Sequence, residues 1–255
     1  MFTGIVEFAA PVISLLNLEA NSNGKKITQL KIGVPLSFRR GFSQEEKLPP
    51  LSLKTKAFAR SFSKRNSPNL DCLHRSTPNL GNMISSNEDR LGDSISINGC
   101  CLTIVRIDNQ GWTFEISSET LQITTLGTLQ MRDLVNVERA MLPQTRFGGH
   151  FVSGHVDCRG LVHQITEAPD GWIVSLEVPK PFDRFCVPKG SITVNGVSLT
   201  INRVEEKDAK MTFIELCLIP ITLEVTNLKS LSVGKYVNIE VDQIVKMFDR
   251  LKGTL

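Results

Sequence analysis

Along Ser94-Ile95-Ser96-Ile97 polar and apolar residues alternate, the alternation breaks at Asn98-Gly99, and an apolar-rich run resumes through Cys100-Cys101-Leu102-Thr103-Ile104-Val105-Arg106. Such runs on either side of Asn-Gly predict two strands joined by a tight turn. The pattern returns at Ser191-Ile192-Thr193-Val194-Asn195-Gly196-Val197-Ser198-Leu199-Thr200-Ile201-Asn202-Arg203, with Ser, Ile, Asn, Gly, Leu, Thr, Ile and Arg at matching places. Upstream, residues 2–7 match 152–157; downstream, Val135-Asn136-Val137-Glu138 matches Val237-Asn238-Ile239-Glu240. Between these, Glu119-Thr120-Leu121 with Thr124 answers to Thr222-Leu223 with Thr226. Landmarks in one order, twice, predict two copies of one small β domain.

In chain order, residues 2–18 read as strand, turn and strand, and 27–32 as a further alternating strand. Strand signals resume at Ser94 and continue through 113–117 and 134–138. In the second copy they fall near 152–162, 172–177, 191–195, 198–204, 212–218 and 236–241. Many short strands with few helical stretches predict a small antiparallel barrel in each half. Ile244, Met247, Phe248 and Leu251 have helical spacing, so a short terminal helix with an apolar stripe follows the second barrel as an oligomer contact.

The 255 residues suffice for two domains, and 41% hydrophobic with 22% charged residues is a globular composition. No apolar run approaches the roughly 20 residues needed to cross a bilayer. The N-terminus has neither a basic region nor a long apolar core of secretory type, which makes intracellular residence the expectation. Six cysteines without C-x-x-C spacing argue against zinc and for free thiols. The formal charge of +3 is unevenly spread: residues 39–90 hold ten Lys/Arg and five Asp/Glu, leaving −2 elsewhere. No footprint for nucleic acid remains on the folded part. That stretch is rich in Ser, Pro and Asn and lies where the first copy is 53 residues longer: Gly4 and Asn98 are 94 apart, Gly154 and Asn195 only 41. It reads as a largely disordered insertion in a surface loop, either passive or, as the alternative, a basic docking or regulatory loop.

The N-terminal Met-Phe-Thr-Gly-Ile-Val-Glu, the Asn-Gly-Cys-Cys-Leu-Thr hairpin, Ser-Glu-Thr-Leu, Gly-Gly-His-x-x-Ser-Gly-His-Val-Asp and Ser-Leu-Thr together resemble the riboflavin synthase family over the whole chain except the insertion. The resemblance implies an all-β fold of two similar six-stranded antiparallel Greek-key barrels in tandem plus a C-terminal helix. The first lumazine-binding barrel would span 1–150 (insertion at about 39–90), the second 151–242, and the helix 243–255. It implies a cytoplasmic homotrimer that dismutates two 6,7-dimethyl-8-ribityllumazine molecules by four-carbon transfer, giving riboflavin and 5-amino-6-ribitylaminouracil. No metal or cofactor is implied; lumazine synthase is a conceivable partner, nucleic acid and membrane are not. The alternative within the same ancestry is a non-catalytic lumazine- or flavin-binding antenna protein.

Carried onto these residues, the resemblance implies a first pocket of Gly4, Ile5, Val6, Ser94, Cys101, Leu102, Thr103, and Glu115, Ile116, Ser117, Ser118, Glu119 and Thr120, with the Phe2 ring alongside. A second would use Gly154, His155, Val156, Lys189, Ser198, Leu199, Thr200, and Cys217, Leu218, Ile219, Pro220, Ile221 and Thr222, with Asp242 at its edge. His155 is the candidate acid/base, since imidazole titrates near neutrality. Ser198 and Thr200 would relay protons or orient water, and Cys101 would polarise or attack the ring. His150 reads as structural, in the connector. Ile221 departs from the family's usual acidic residue or His, so that side chain contributes nothing polar.

Overall fold

Strand β2 (Ile27–Gly33) alternates half-buried and buried residues along its whole length, placing Thr28, Leu30 and Ile32 inward. Period-two burial of this kind makes a strand cover a core with one face. The computed structural model describes residues 1–18, 27–35, 46–47, 89–206, 208 and 211–252. Most of the expected insertion at 39–90 lies outside the described residues; within it Glu46–Lys47 (β3) pairs with residues 106–107.

The first barrel uses β1 (Phe8–Leu18), β2, β4 (Ser94–Ile97), β5 (Cys100–Asp108), β6 (Gly111–Ile116) and β7 (Leu134–Arg139). Each pairs antiparallel with two others, in the ring β4-β5-β6-β2-β1-β7. The second repeats this ring with β8 (Cys158–Ala168), β9 (Gly171–Pro179), β10 (Ser191–Val194), β11 (Val197–Glu206), β12 (Met211–Leu218) and β13 (Tyr236–Val241), ordered β10-β11-β12-β9-β8-β13. In each ring three hairpin-linked strands lie beside the strand that precedes them, the Greek-key arrangement. The chain therefore forms two closed six-stranded antiparallel barrels.

Bulges recur at equivalent places, between Val12 and Ser14 and between Val162 and Gln164, and again between Ile104 and Arg106 and between Ile201 and Arg203. An extra residue bends its strand, which small barrels need to close. Each barrel fills its interior mainly with its own apolar residues, Leu30, Ile32, Ile104 and Phe114 in one, Val174, Leu176, Ile201 and Ile214 in the other.

Two turns of helix were not anticipated: α1 (Ser118–Ile123) after β6 and α2 (Pro220–Val225) after β12. The expected terminal helix is present as α3 (Gln243–Lys252), begun by an Asp242 carboxylate that accepts from the Ile244 N–H at 2.8 Å. Its Ile244, Met247, Phe248 and Leu251 side chains are exposed.

The barrels meet hairpin tip to hairpin tip. A Cβ on Gly99 would lie 2.7 Å from the Gly196 nitrogen, and the converse distance is also 2.7 Å. Around that contact the Asn136 amide donates to the Asn195 carbonyl (2.9 Å), and the Asn238 amide to the Asn98 carbonyl (2.8 Å). The Asn227 N–H donates to Asn136 Oδ1, and its counterpart Thr125 N–H to Asn238 Oδ1, both at 2.7 Å. The junction is thus pseudo-symmetric and hydrogen-bonded rather than greasy.

Candidate functional site: two hydroxyl-bearing strands under crossed straps

Alternation along β5 buries Leu102 and Ile104 in the barrel and turns Cys101 and Thr103 to the outside. Along β11, Leu199 and Ile201 are buried while Ser198 and Thr200 face out. Ser94 lies opposite Thr103 and Ser191 opposite Thr200, so each outer face carries a cross-strand pair of hydroxyls. The candidate sites are therefore open barrel surfaces, each with its neighbouring helical turn. Glu115, Ile116, Ser117, Ser118, Glu119 and Thr120 run from β6 into α1 beside the first; Cys217, Leu218, Ile219, Pro220, Ile221 and Thr222 run from β12 into α2 beside the second. Lys189 is exposed in a left-handed conformation (φ 67°) and its N–H donates to the Ile201 carbonyl at 2.6 Å.

The segments preceding β1 and β8 cross over. Phe2 and Val152 form an antiparallel bridge, with N–H to O distances of 2.8 and 3.1 Å. Beyond it the Gly4 carbonyl accepts from the Ser198 N–H at 2.8 Å, and the Gly154 carbonyl from the Cys101 N–H at 2.7 Å. Val6 packs against the second barrel's core, and Val156 is buried in the first. Gly4 and Val6 thus lie against the second barrel and Gly154 and Val156 against the first, with the exposed Ile5 and His155 between them on their straps. This exchanges the grouping expected from the sequence, because the bridge swaps the two straps before each enters its own barrel. Only glycine fits at the crossings: φ is +77° at Gly4 and +80° at Gly154, and a Cβ would fall 2.7 Å from the Cβ of Ser198 or of Cys101.

Phe2 is fully buried under this crossing, its ring edge beside Gly154, and so anchors the strap rather than presenting an open face. His155 is exposed, its N–H donating to Ser153 Oγ at 3.3 Å. His150, expected to be structural only, is buried directly behind Ser198: its Nδ1 lies 2.7 Å from Ser198 Oγ and its Nε2 3.2 Å from Thr193 Oγ1. A neutral imidazole donates at one nitrogen and accepts at the other, which suits two hydroxyls. Burial pushes its pKa below the ordinary value, while the Asp242 carboxylate pulls the other way. The Gly-Gly-His motif contains His150, but its partners come from β10 and β11, so its role could not be read locally.

A cavity of about 590 Å³ opens beside the crossing, between the first strap (Thr3, Ile5), the start of β4 (Asp93, Ser94), the end of β7 (Glu138, Arg139) and the connector (Met141, Leu142). Its size is that of a small-molecule site. Among the described residues no group of three His, Cys, Asp or Glu is placed to hold a metal ion, and no helix is long and apolar enough to cross a membrane.

The lumazine binding domain model matches twice, at residues 60–140 and 153–242. A riboflavin synthase of Photobacterium phosphoreum is 40% identical over 162 residues, covering 64% of this chain and 72% of that protein. Those of Mycobacterium tuberculosis strain H37Rv (42% over 163 residues, 63% and 79% covered) and Bacillus subtilis strain 168 (41% over 160, 63% and 72%) are similarly close. The chain belongs to the riboflavin synthase family. Solved structures share the fold: LumP complexed with riboflavin superposes with a TM-score of 0.62 at 23% identity, over 94% of this chain and 99% of that one. LumP with 6,7-dimethyl-8-(1'-D-ribityl)lumazine gives 0.61 at 22%, over the same shares. The second match spans the whole second barrel and the first spans β4 to β7 of the first barrel, and both hydroxyl faces are present on this chain.

Proposed function

We propose that this chain is a transferase catalysing the last step of riboflavin biosynthesis. It converts two 6,7-dimethyl-8-ribityllumazine molecules into riboflavin and 5-amino-6-ribitylaminouracil, one molecule giving a four-carbon unit to the other. The observation that carries the reading is the doubled outer face, Ser94/Thr103 with Cys101 on one barrel and Ser191/Thr200 with Ser198 on the other. Two copies of one substrate call for two similar sites, and the substrate and product atoms balance without a cofactor.

The reaction removes a proton from a methyl group of one ring and adds a nucleophile to the other. The heterocycle delocalises the resulting charge, so the protein's task is positioning and proton movement. His155 serves as acid/base at the Cys101 face, with Cys101 polarising or attacking the bound ring. At the other face the Ser198 hydroxyl, with the neutral His150 ring 2.7 Å behind it, relays a proton that Thr200 helps to direct. Backbone groups of the straps, Lys189 and Asp242 complete the contacts.

Both faces lie open on the outside of the protomer, so we assign their closure to neighbouring copies in a homotrimer held by the exposed stripe of α3. In this reading residues 1–150 and 151–242 are the two ligand-binding domains and 243–255 the assembly helix. The protein works in the cytoplasm, with lumazine synthase supplying its substrate. Incubating the purified protein with dimethylribityllumazine should yield riboflavin absorbance and one uracil product per riboflavin; stoichiometric binding with no riboflavin would leave the antenna reading instead.

A further inference from the structure

The two straps are held by carboxylates of the barrels they lead into, not of the sites they cross. Glu138, on β7, accepts from the Thr3 N–H at 2.7 Å, the Thr3 hydroxyl at 2.9 Å and the Gly4 N–H at 3.0 Å. Glu240, on β13, repeats the set on the second strap, from the Ser153 N–H at 2.6 Å, the Ser153 hydroxyl at 2.7 Å and the Gly154 N–H at 2.9 Å. Each strap returns the contact one pleat further on: Glu7 accepts from the Arg139 N–H at 2.8 Å, and Asp157 from the Val241 N–H at 2.9 Å. Both clamping carboxylates are buried. Three donors hold each carboxyl, yet burial still pushes both above their ordinary pKa, and an acceptor kept at that cost at both equivalent places implies a role that an apolar residue could not fill.

Because the straps cross, that role falls on the other barrel. The residue clamped by Glu138, Gly4, receives the Ser198 N–H of the second barrel; the residue clamped by Glu240, Gly154, receives the Cys101 N–H of the first. We propose that Glu138 and Glu240 are positioning residues that act across the barrel junction, Glu138 setting the strap of the Ser198–Thr200 site and Glu240 that of the Cys101–Thr103 site. This rests on the ligand-binding reading above. Its consequence is that the two sites of one chain are built interdependently: each barrel holds one ligand face and supplies the anchor for the strap over the other.

Glu138→Gln and Glu240→Gln test it. Glutamine keeps the shape but sets an NH2 against the Gly4 or Gly154 N–H, replacing an acceptor with a donor at the atom that fixes the strap. Amide hydrogen exchange reads the strap directly: Glu240→Gln should speed exchange at the Cys101 amide and spare Ser198, with the reverse for Glu138→Gln. Fluorescence titration with dimethylribityllumazine reads the sites. Glu240→Gln should weaken one of two sites by roughly tenfold, a charge-assisted hydrogen bond's share of affinity. Adding Thr103→Val should then leave the remaining site untouched, whereas adding Thr200→Val should weaken both. Should a Gln variant fail to fold, Ser153→Ala and Thr3→Val remove one hydrogen bond from each clamp and carry the same crossed expectation. Weakening confined to the carboxylate's own barrel, or equal at both sites, would overturn the proposal. Wild-type protein that binds no lumazine would sink the functional reading instead, while the exchange pattern would still decide the clamp.

Discussion

At the scale of single residues, the instructive case is His150, whose imidazole sits buried between the hydroxyls of Ser198 and Thr193. Desolvation lowers its pKa from 6.5, and the Asp242 carboxylate only partly offsets this. The unfolded chain, titrating near the ordinary value, then binds a proton that the folded chain resists. Folding stability from this residue is therefore fully present above about pH 6.5 and is lost as pH falls through the lower folded value. Urea unfolding at about pH 7.5 and about pH 5.5 should show the wild type losing stability on acidification, and His150→Gln should lose less. An identical pH response in the variant would remove His150 as its source. The family motif Gly-Gly-His contains this residue, but one His in a Gly-rich connector gives no sign of which strands will close over it. Thr103 and Thr200 stood out by recurring after Asn-Gly, whereas Ser198, answered by Cys101 in the first copy, came from the family resemblance alone.

At the scale of elements, the strands followed from period two and the hairpins from Asn-Gly, while the turns α1 and α2 were missed. Six residues are too few for a 3.6-residue period to show. The available signals were at the ends: Pro220 at the first helical position, and Ser117 ahead of Ser118-Glu119-Thr120. The two copies differ here. Ser117 Oγ accepts from the Thr120 N–H at 3.1 Å, whereas Ile219 in the equivalent place offers no side-chain acceptor and is 51% exposed. Ile219→Ser should therefore add the missing cap at little cost in packing and raise stability by about 1 kcal/mol. A rise in the thermal midpoint would check this; a fall would mean that Ile219 is buried against something in the working assembly.

At the scale of the whole molecule, α3 stands beyond a closed barrel, tied back by Lys246 to Asp157 at 2.6 Å and by Arg184 to Asp249, with its apolar stripe outward. Met247 and Phe248 are 58% and 64% exposed, a contiguous apolar stripe of the kind that marks interaction surfaces, and the proposed trimer contact rests on it. Phe248→Asp should shift sedimentation toward the single chain and cut turnover by roughly tenfold or more, since the open faces would lack their opposite numbers. Unchanged sedimentation would move the assembly surface elsewhere.

The sequence by itself determined that one β module occurs twice and where its alternating strands and Asn-Gly hairpins fall. These are local properties: alternation assigns a face wherever one side is buried, and Asn-Gly assigns a turn. Only the tertiary structure decided that the straps exchange barrels, that Glu138 and Glu240 hold them, and that His150 backs Ser198. The physical reason is that strand pairing and strap docking run through backbone N–H and C=O groups, which are the same in every residue, so their partners are chosen by where the closed barrels bring the chain together.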